Sequence, residues 1–113
     1  MNHDMFASLK AIAAGDTTQT FPTFWTHEVK NPLIGIIKGF GSFEHDRYGT
    51  QETVIVERES GELVSAILNE YLSNGIRLQN AAIGDLILID FLGKERSHNG
   101  HQFNRFNLVI QKV

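Results

Sequence analysis

From Leu33 to Val113 the apolar residues fall in short runs separated by glycine-rich or polar breaks. That spacing is the signature of consecutive short strands. Leu33–Phe43 is a long apolar strand interrupted by Gly35, Gly39 and Gly41, and glycine inside a strand marks a bulge or a sharp bend. Glu44–Gly49 is a polar turn, and Gln51–Arg58 alternates apolar with polar residues. Glu59-Ser60-Gly61-Glu62 turns the chain into a third strand, Leu63–Leu68. Asn69–Arg77 has helical character, with Asn69 as the N-cap and Gly75 as the expected stop. Leu86–Leu92 is the fourth strand. The loop Gly93–Gln102 contains Asn99-Gly100, a dipeptide suited to a tight hairpin turn, and Phe103–Lys112 is the fifth strand. The alternation of the fifth strand assigns Phe106, Leu108 and Ile110 to the core and turns Phe103, Arg105 and Asn107 to the other side.

Residues 1–32 read differently. Met5, Phe6, Leu9, Ile12 and Ala13 recur at helical spacing before Gly15, which predicts a short amphipathic helix or a loose terminus. Asp16–Pro32 holds both prolines of the chain, together with Phe21, Phe24 and Trp25. An extended, irregular arm is expected there, its aromatic side chains laid against the barrel. Trp25 could cap the barrel or present its ring to a ligand. The predicted organisation is thus an arm of residues 1–32 and a barrel of residues 33–113.

With 113 residues the chain has the length of one domain, and 42% hydrophobic against 20% charged residues is an ordinary globular balance. There is no cysteine, which excludes a disulfide framework, thiolate metal sites and a cysteine nucleophile. Asp4 and Lys10 interrupt the start of the chain, so no secretory signal is read. The apolar runs are too short to span a bilayer. The expectation is a cytoplasmic protein without a membrane segment. Net charge is −3, unfavourable to a polyanion partner when spread evenly. It is not spread evenly. Glu44–Glu70 carries seven acids against two bases, a balance of −5, while Lys94–Val113 carries four bases against one acid, a balance of +3. A local basic patch attracts a polyanion whatever the total.

The order strand, strand, strand, short helix, strand, strand is that of an all-β, five-stranded, closed barrel of the oligonucleotide/oligosaccharide-binding (OB) type, and the same order could also give an open antiparallel sheet packed by the N-terminal helix. In the barrel the short helix plugs one end and a long bent first strand reaches neighbours on both sides. The stretch Gly84-Asp85-Leu86 to Ile110 resembles the last two strands of OB-fold single-stranded-DNA-binding proteins. It has a Gly-Asp turn, an apolar strand running through Phe91 into Leu92-Gly93-Lys94, a polar hairpin with a glycine, and aromatic alternation. Phe24–Glu57 resembles small phage and plasmid proteins of this kind, with an aromatic arm, a glycine-containing first strand and a Tyr48-Gly49 turn into the second. The resemblance implies non-catalytic binding of single-stranded DNA, or chemically similar RNA, with low sequence preference, in replication or recombination. It departs from bacterial members of the family at the end, where Gln111-Lys112-Val113 stands in place of an acidic recruiting tail.

Such binding needs cations along the phosphates and aromatic faces for the bases. The loop between the first two strands offers Arg47 and Tyr48, with Lys38 and Phe40 leading into it. The loop between the last two offers Lys94, Arg96 and His101, followed by Phe103 and Arg105. These nine are the candidate contacts. The plain alternative is a hairpin kept soluble by charge, its Phe103 covered by the arm. Because one barrel covers few nucleotides, self-association is expected. The rival function is a protein-interaction module using the aromatic arm and the acidic face. Glu52, Glu57, Glu59 and Glu62 are most simply a solvated face; on the binding face they would repel phosphate, so they must point away from it or the nucleic-acid reading fails. No cofactor or metal is expected: His98 and His101 have only Glu95 nearby, short of a zinc ligand set. The chain has neither a Gly-x-Ser-x-Gly elbow nor a phosphate-binding glycine loop, and no enzyme is read.

Overall fold

The computed structural model describes residues 22–113. The expected helix over Asn2–Gly15, and Phe21, lie outside the described residues. Six strands and one helix follow in the order β1 (Thr23–Trp25), β2 (Leu33–His45), β3 (Gly49–Arg58), β4 (Leu63–Leu68), α1 (Glu70–Leu78), β5 (Leu86–Arg96) and β6 (Gln102–Gln111). They form one mixed sheet, ordered β1-β4-β3-β2-β5-β6, that curls into a half-barrel. Among the described residues the structure is all-β apart from α1.

Alternation fixes the inner face. Leu33 and Ile37 of β2, Val54 and Val56 of β3, Val64, Ala66 and Leu68 of β4, and Ile87 and Ile89 of β5 are all buried. Leu108 of β6 joins them, with Phe106 and Ile110 packed alongside, on the side their alternation predicts. Removing each large side chain of this set from water contributes roughly 1.5–3 kcal/mol. Gly35 sits in this layer where β2 crosses β3. A Cβ there would lie 2.2 Å from the Glu57 carbonyl oxygen, so only glycine allows the two strands to approach this closely.

Helix α1 starts as expected, with the Asn69 side chain accepting from Leu72 N at 2.8 Å. It does not stop at Gly75. That glycine lies inside the helix, where a Cβ would stand 2.6 Å from Leu108 Cδ2, and its role is to let α1 dock on β6. The stop comes at Asn80, in the left-handed region at φ 55, where Asn80 N and Ala81 N donate to the Arg77 and Ile76 carbonyls. This is the double backbone closure of a Schellman motif, with asparagine in the place glycine usually takes.

Two expectations need correction. The barrel is not five-stranded and it is not closed by backbone pairing. Among the described residues β6 pairs with β5 alone, and β1 runs parallel to β4 along the edge that β6 would need. Thr23-Phe24-Trp25 is β-branched and aromatic, which suits a pleated surface, and the nine residues between the prolines leave room for a short strand. The arm then crosses the opening between β4 and β6. His27 Nε2–H donates to the Ile67 carbonyl at 3.0 Å, and its ring meets Phe106 edge-on at 5.0 Å. Burial pushes the His27 imidazole below its ordinary value, against the opposing pull of that hydrogen bond.

The second correction concerns the arm's aromatics. Trp25 packs on the core opposite the small Ala66, with the Arg58 guanidinium 4.9 Å from its ring centroid. Phe24, one residue earlier, points the other way and is 70% exposed. Adjacent residues of a strand face opposite sides, so both could not be covered by the barrel. The other end of the sheet is tied by Asp85, which accepts from Ala82 N at 2.9 Å and from Lys112 Nζ. These donors, the Lys112 ammonium first, hold the Asp85 carboxyl below the usual range. Among the described residues no helix is long and apolar enough to cross a membrane.

Candidate nucleic-acid interface

The nine candidate residues divide between two hairpins. β2 and β5 are antiparallel and pair over only four residues each, Leu33–Ile36 with Leu86–Ile89. β2 then continues past the start of β5 into the β2–β3 hairpin, and β5 continues past the start of β2 into the β5–β6 hairpin. The two hairpins leave the shared segment in opposite directions, so the candidates do not gather in one patch.

In the β2–β3 hairpin a bulge lies between Ile37 and Gly39. Lys38 is the extra residue, exposed, with its ammonium 4.0 Å from Glu57. After the bulge Phe40 stands opposite Val54 on the core side of the ribbon, at its open end, and Phe43 takes the opposite face. Phe43 belongs to a run of rings that sequence reasoning missed. Phe24 meets it edge-on at 5.7 Å, His45 follows at 6.4 Å, and Tyr48 lies 4.8 Å beyond, tilted by 32°. The run ends on Tyr48, 67% exposed. His45 shapes the tip: its Nδ1 accepts from Arg47 N at 3.0 Å and Tyr48 N at 3.2 Å. Gln51 Nε2 donates to the Tyr48 carbonyl at 3.2 Å, and Thr50 Oγ1 donates to Glu44. The ring run thus stands on a turn held by side-chain hydrogen bonds, with Arg47 exposed beside it.

The signal for this run was present but needed the bulge. Alternation from Leu33 without a slip puts Phe43 on the core side, and Lys38 shifts it to the outer one. The outer face of β3 and β4 beside the run carries uncharged Gln51, Thr53, Ile55, Ser65 and Ile67, and further along the same face Glu57 stands with its partner Lys38.

In the β5–β6 hairpin, Phe103 and Arg105 lie on the outer face as the alternation predicts, and Phe103 is 45% exposed. Ser97 N donates to the His101 carbonyl at 2.8 Å, closing a tip over Asn99-Gly100 that leaves the exposed His101 side chain outside this bond. The positive balance here is smaller than the sequence implies. Arg105 Nη1 is 2.7 Å from Glu95, and Lys112 is paired with Asp85. Among the described residues Lys94, Arg96 and Arg47 have no carboxylate within 4.0 Å.

The acids of β3 and its turn are also engaged. Glu57 faces Lys38, Glu52 lies 3.6 Å from Arg77, and Glu62 is 2.8 Å from Arg58. Glu59 sits exposed in the β3–β4 turn. Among the described residues no group of three or more His, Asp or Glu gathers as for a metal ion. Comparison with known proteins finds no match to this chain among family models, curated proteins or solved structures.

Proposed function

We propose that this chain binds single-stranded nucleic acid, DNA in the first instance, without catalysis. The observation that carries the reading is the run Phe24–Phe43–His45–Tyr48, whose rings stand 4.8–6.4 Å apart and whose two ends are 70% and 67% exposed. Exposed aromatic rings beside cations are what stacked bases and their phosphates require. Arg47 supplies a cation at the tip. Lys94 and Arg96 supply two more at the far hairpin, where Phe103 offers a further ring and His101 and Arg105 polar contacts. An OB-type reading of β2 to β6 is supported by the strand order and by β2 pairing with both β3 and β5. In that fold, ligand lies on the second and third strands between these two hairpins.

The reaction expected is association only, weakened by salt as bound cations leave the phosphates. No cofactor enters it. The open edges of the sheet support self-association into a homo-oligomer. A protein partner is the second reading, favoured by the exposed Phe24, although Trp25 has turned inward and the apolar patch is correspondingly small. One titration separates them: anisotropy of a labelled oligonucleotide at low and at raised salt. Tight, salt-sensitive binding is expected. No binding at the lowest salt overturns the nucleic-acid reading in favour of the protein one.

A further inference from the structure

Between α1 and the base of the β2–β3 ribbon lies a cleft of about 440 Å³. Leu68 and Ile76 form its apolar part, Phe40 one aromatic wall, and Glu52, Arg77 and Asn80 bring polar groups to it. Its volume is within the range of small-ligand sites, and a mixed apolar and polar lining is their usual make-up. Phe40 is 45% exposed although it stands on the core side of the ribbon, so its ring is not used up by packing. Glu52 and Arg77 attract each other at 3.6 Å, too long for a hydrogen bond, and the carboxylate keeps its acceptor capacity.

We infer that this cleft takes one base of the bound strand and prefers a base that presents an amine to Glu52. The inference rests on the nucleic-acid reading above and deepens it. Phe40 lies three residues before Phe43 on β2, so the cleft opens at the root of the ribbon that carries the ring run. A strand stacked on that ribbon can turn one base over the edge of β2 onto the Phe40 ring. An ionised Glu accepts and cannot donate. It therefore bonds the exocyclic amine of cytosine and meets only an acceptor on thymine at the same position. Glu52 lies on the side of the ribbon away from the ring run. Arg77, 3.6 Å from it, answers its charge and is placed as a contact for the adjoining phosphate. The carboxylate thus meets a base edge and not the phosphates it would repel.

The test compares oligodeoxycytidine with oligodeoxythymidine, each about 16 nucleotides long, the upper end of what one such barrel covers. The two bases have similar size and stacking area and differ at the group that would face Glu52. The parent protein is expected to bind the cytidine oligomer about fivefold more tightly, the low end of a specific base contact. Glu52→Gln can turn its amide to donate or accept, so it should bind the two oligomers equally, with a salt slope no smaller than the parent's because no cation is lost. Glu52→Gln removes only an exposed ion pair, and an unchanged melting temperature confirms that the fold is intact. Equal binding of both oligomers by the parent, or a preference that survives in Glu52→Gln, overturns the cleft while leaving nucleic-acid binding standing. Binding of neither oligomer at low salt overturns both.

Discussion

At the scale of single residues, the ring run and the half-buried His27 make separable claims. Tyr48 and Phe24 are mostly exposed, so replacing either by Ala costs the fold little. If bases stack on them, each replacement weakens oligonucleotide binding by about 1–3 kcal/mol. The salt slope should stay where it was, because stacking releases no counterion. Affinity and melting temperature measured on the same variants check this, and a parallel loss of both would mean that the rings are structural. His27 has the opposite signature. Its folded form is held below the ordinary value of 6.5, so the neutral ring is the one that fits. The unfolded chain then takes up a proton more readily than the folded one. The stabilisation is therefore complete above about pH 6.5 and is lost as pH falls through the folded value. Chemical denaturation at about pH 7.5 and pH 5 should show a drop in midpoint that His27→Asn, which keeps an N–H but does not titrate, reduces.

At the scale of elements, the sequence pattern reads the barrel strands closely because each has one wet and one dry face. β4 runs over Leu63–Leu68 as its alternation predicts, and α1 over Glu70–Leu78 begins after the expected Asn69 cap. What was not legible depends on events between elements. β1 gains its stability from the edge of β4, which nothing in Thr23–Trp25 announces. Gly75 looks like a helix stop until Leu108 is seen against it. The two bulges, at Lys38 and at Leu92, lengthen both hairpins and reset their faces, and only the second leaves the predicted outer residues, Phe103 and Arg105, unchanged. The charge reading failed for a related reason. A count along the chain cannot show that Arg105 is taken up by Glu95, across the hairpin. The β5–β6 hairpin therefore makes a graded prediction. Lys94→Ala with Arg96→Ala should lower the single-strand salt slope by about 1.4, at about 0.7 per phosphate contact. Arg105→Ala should lower it by less than the roughly 0.7 of one full contact, since its charge is already partly answered. A loss of about 0.7 from Arg105→Ala would mean that the ion pair opens on binding.

At the scale of the whole molecule the unclosed sheet is the feature with consequences. One edge is β1, three residues long. The other, among the described residues, is β6, ten residues long, bonded to β5 on one side only and without a proline or a bulge of its own. A long edge with few charges is a template for another strand, and a second copy is the strand always at hand. Arg105 is the single ionisable side chain on β6, and its pairing with Glu95 removes much of the charge that would keep copies apart. β6 should therefore pair antiparallel with β6 of a second molecule, and light scattering at high micromolar concentration should report a dimer or larger species. Val109→Lys tests the edge. Val109 is 47% exposed on the outer face opposite Leu88, so the change should cost little stability. In an antiparallel pair centred on mid-strand, the new ammonium of one copy approaches Arg105 of the other, and like charges facing each other across strands are destabilising. The variant should be a monomer with a nearly unchanged melting temperature. A parent that scatters as a monomer would overturn the assembly itself, and a Val109→Lys protein that stays associated would remove β6 from it and leave the short β1 edge as the remaining sheet edge among the described residues.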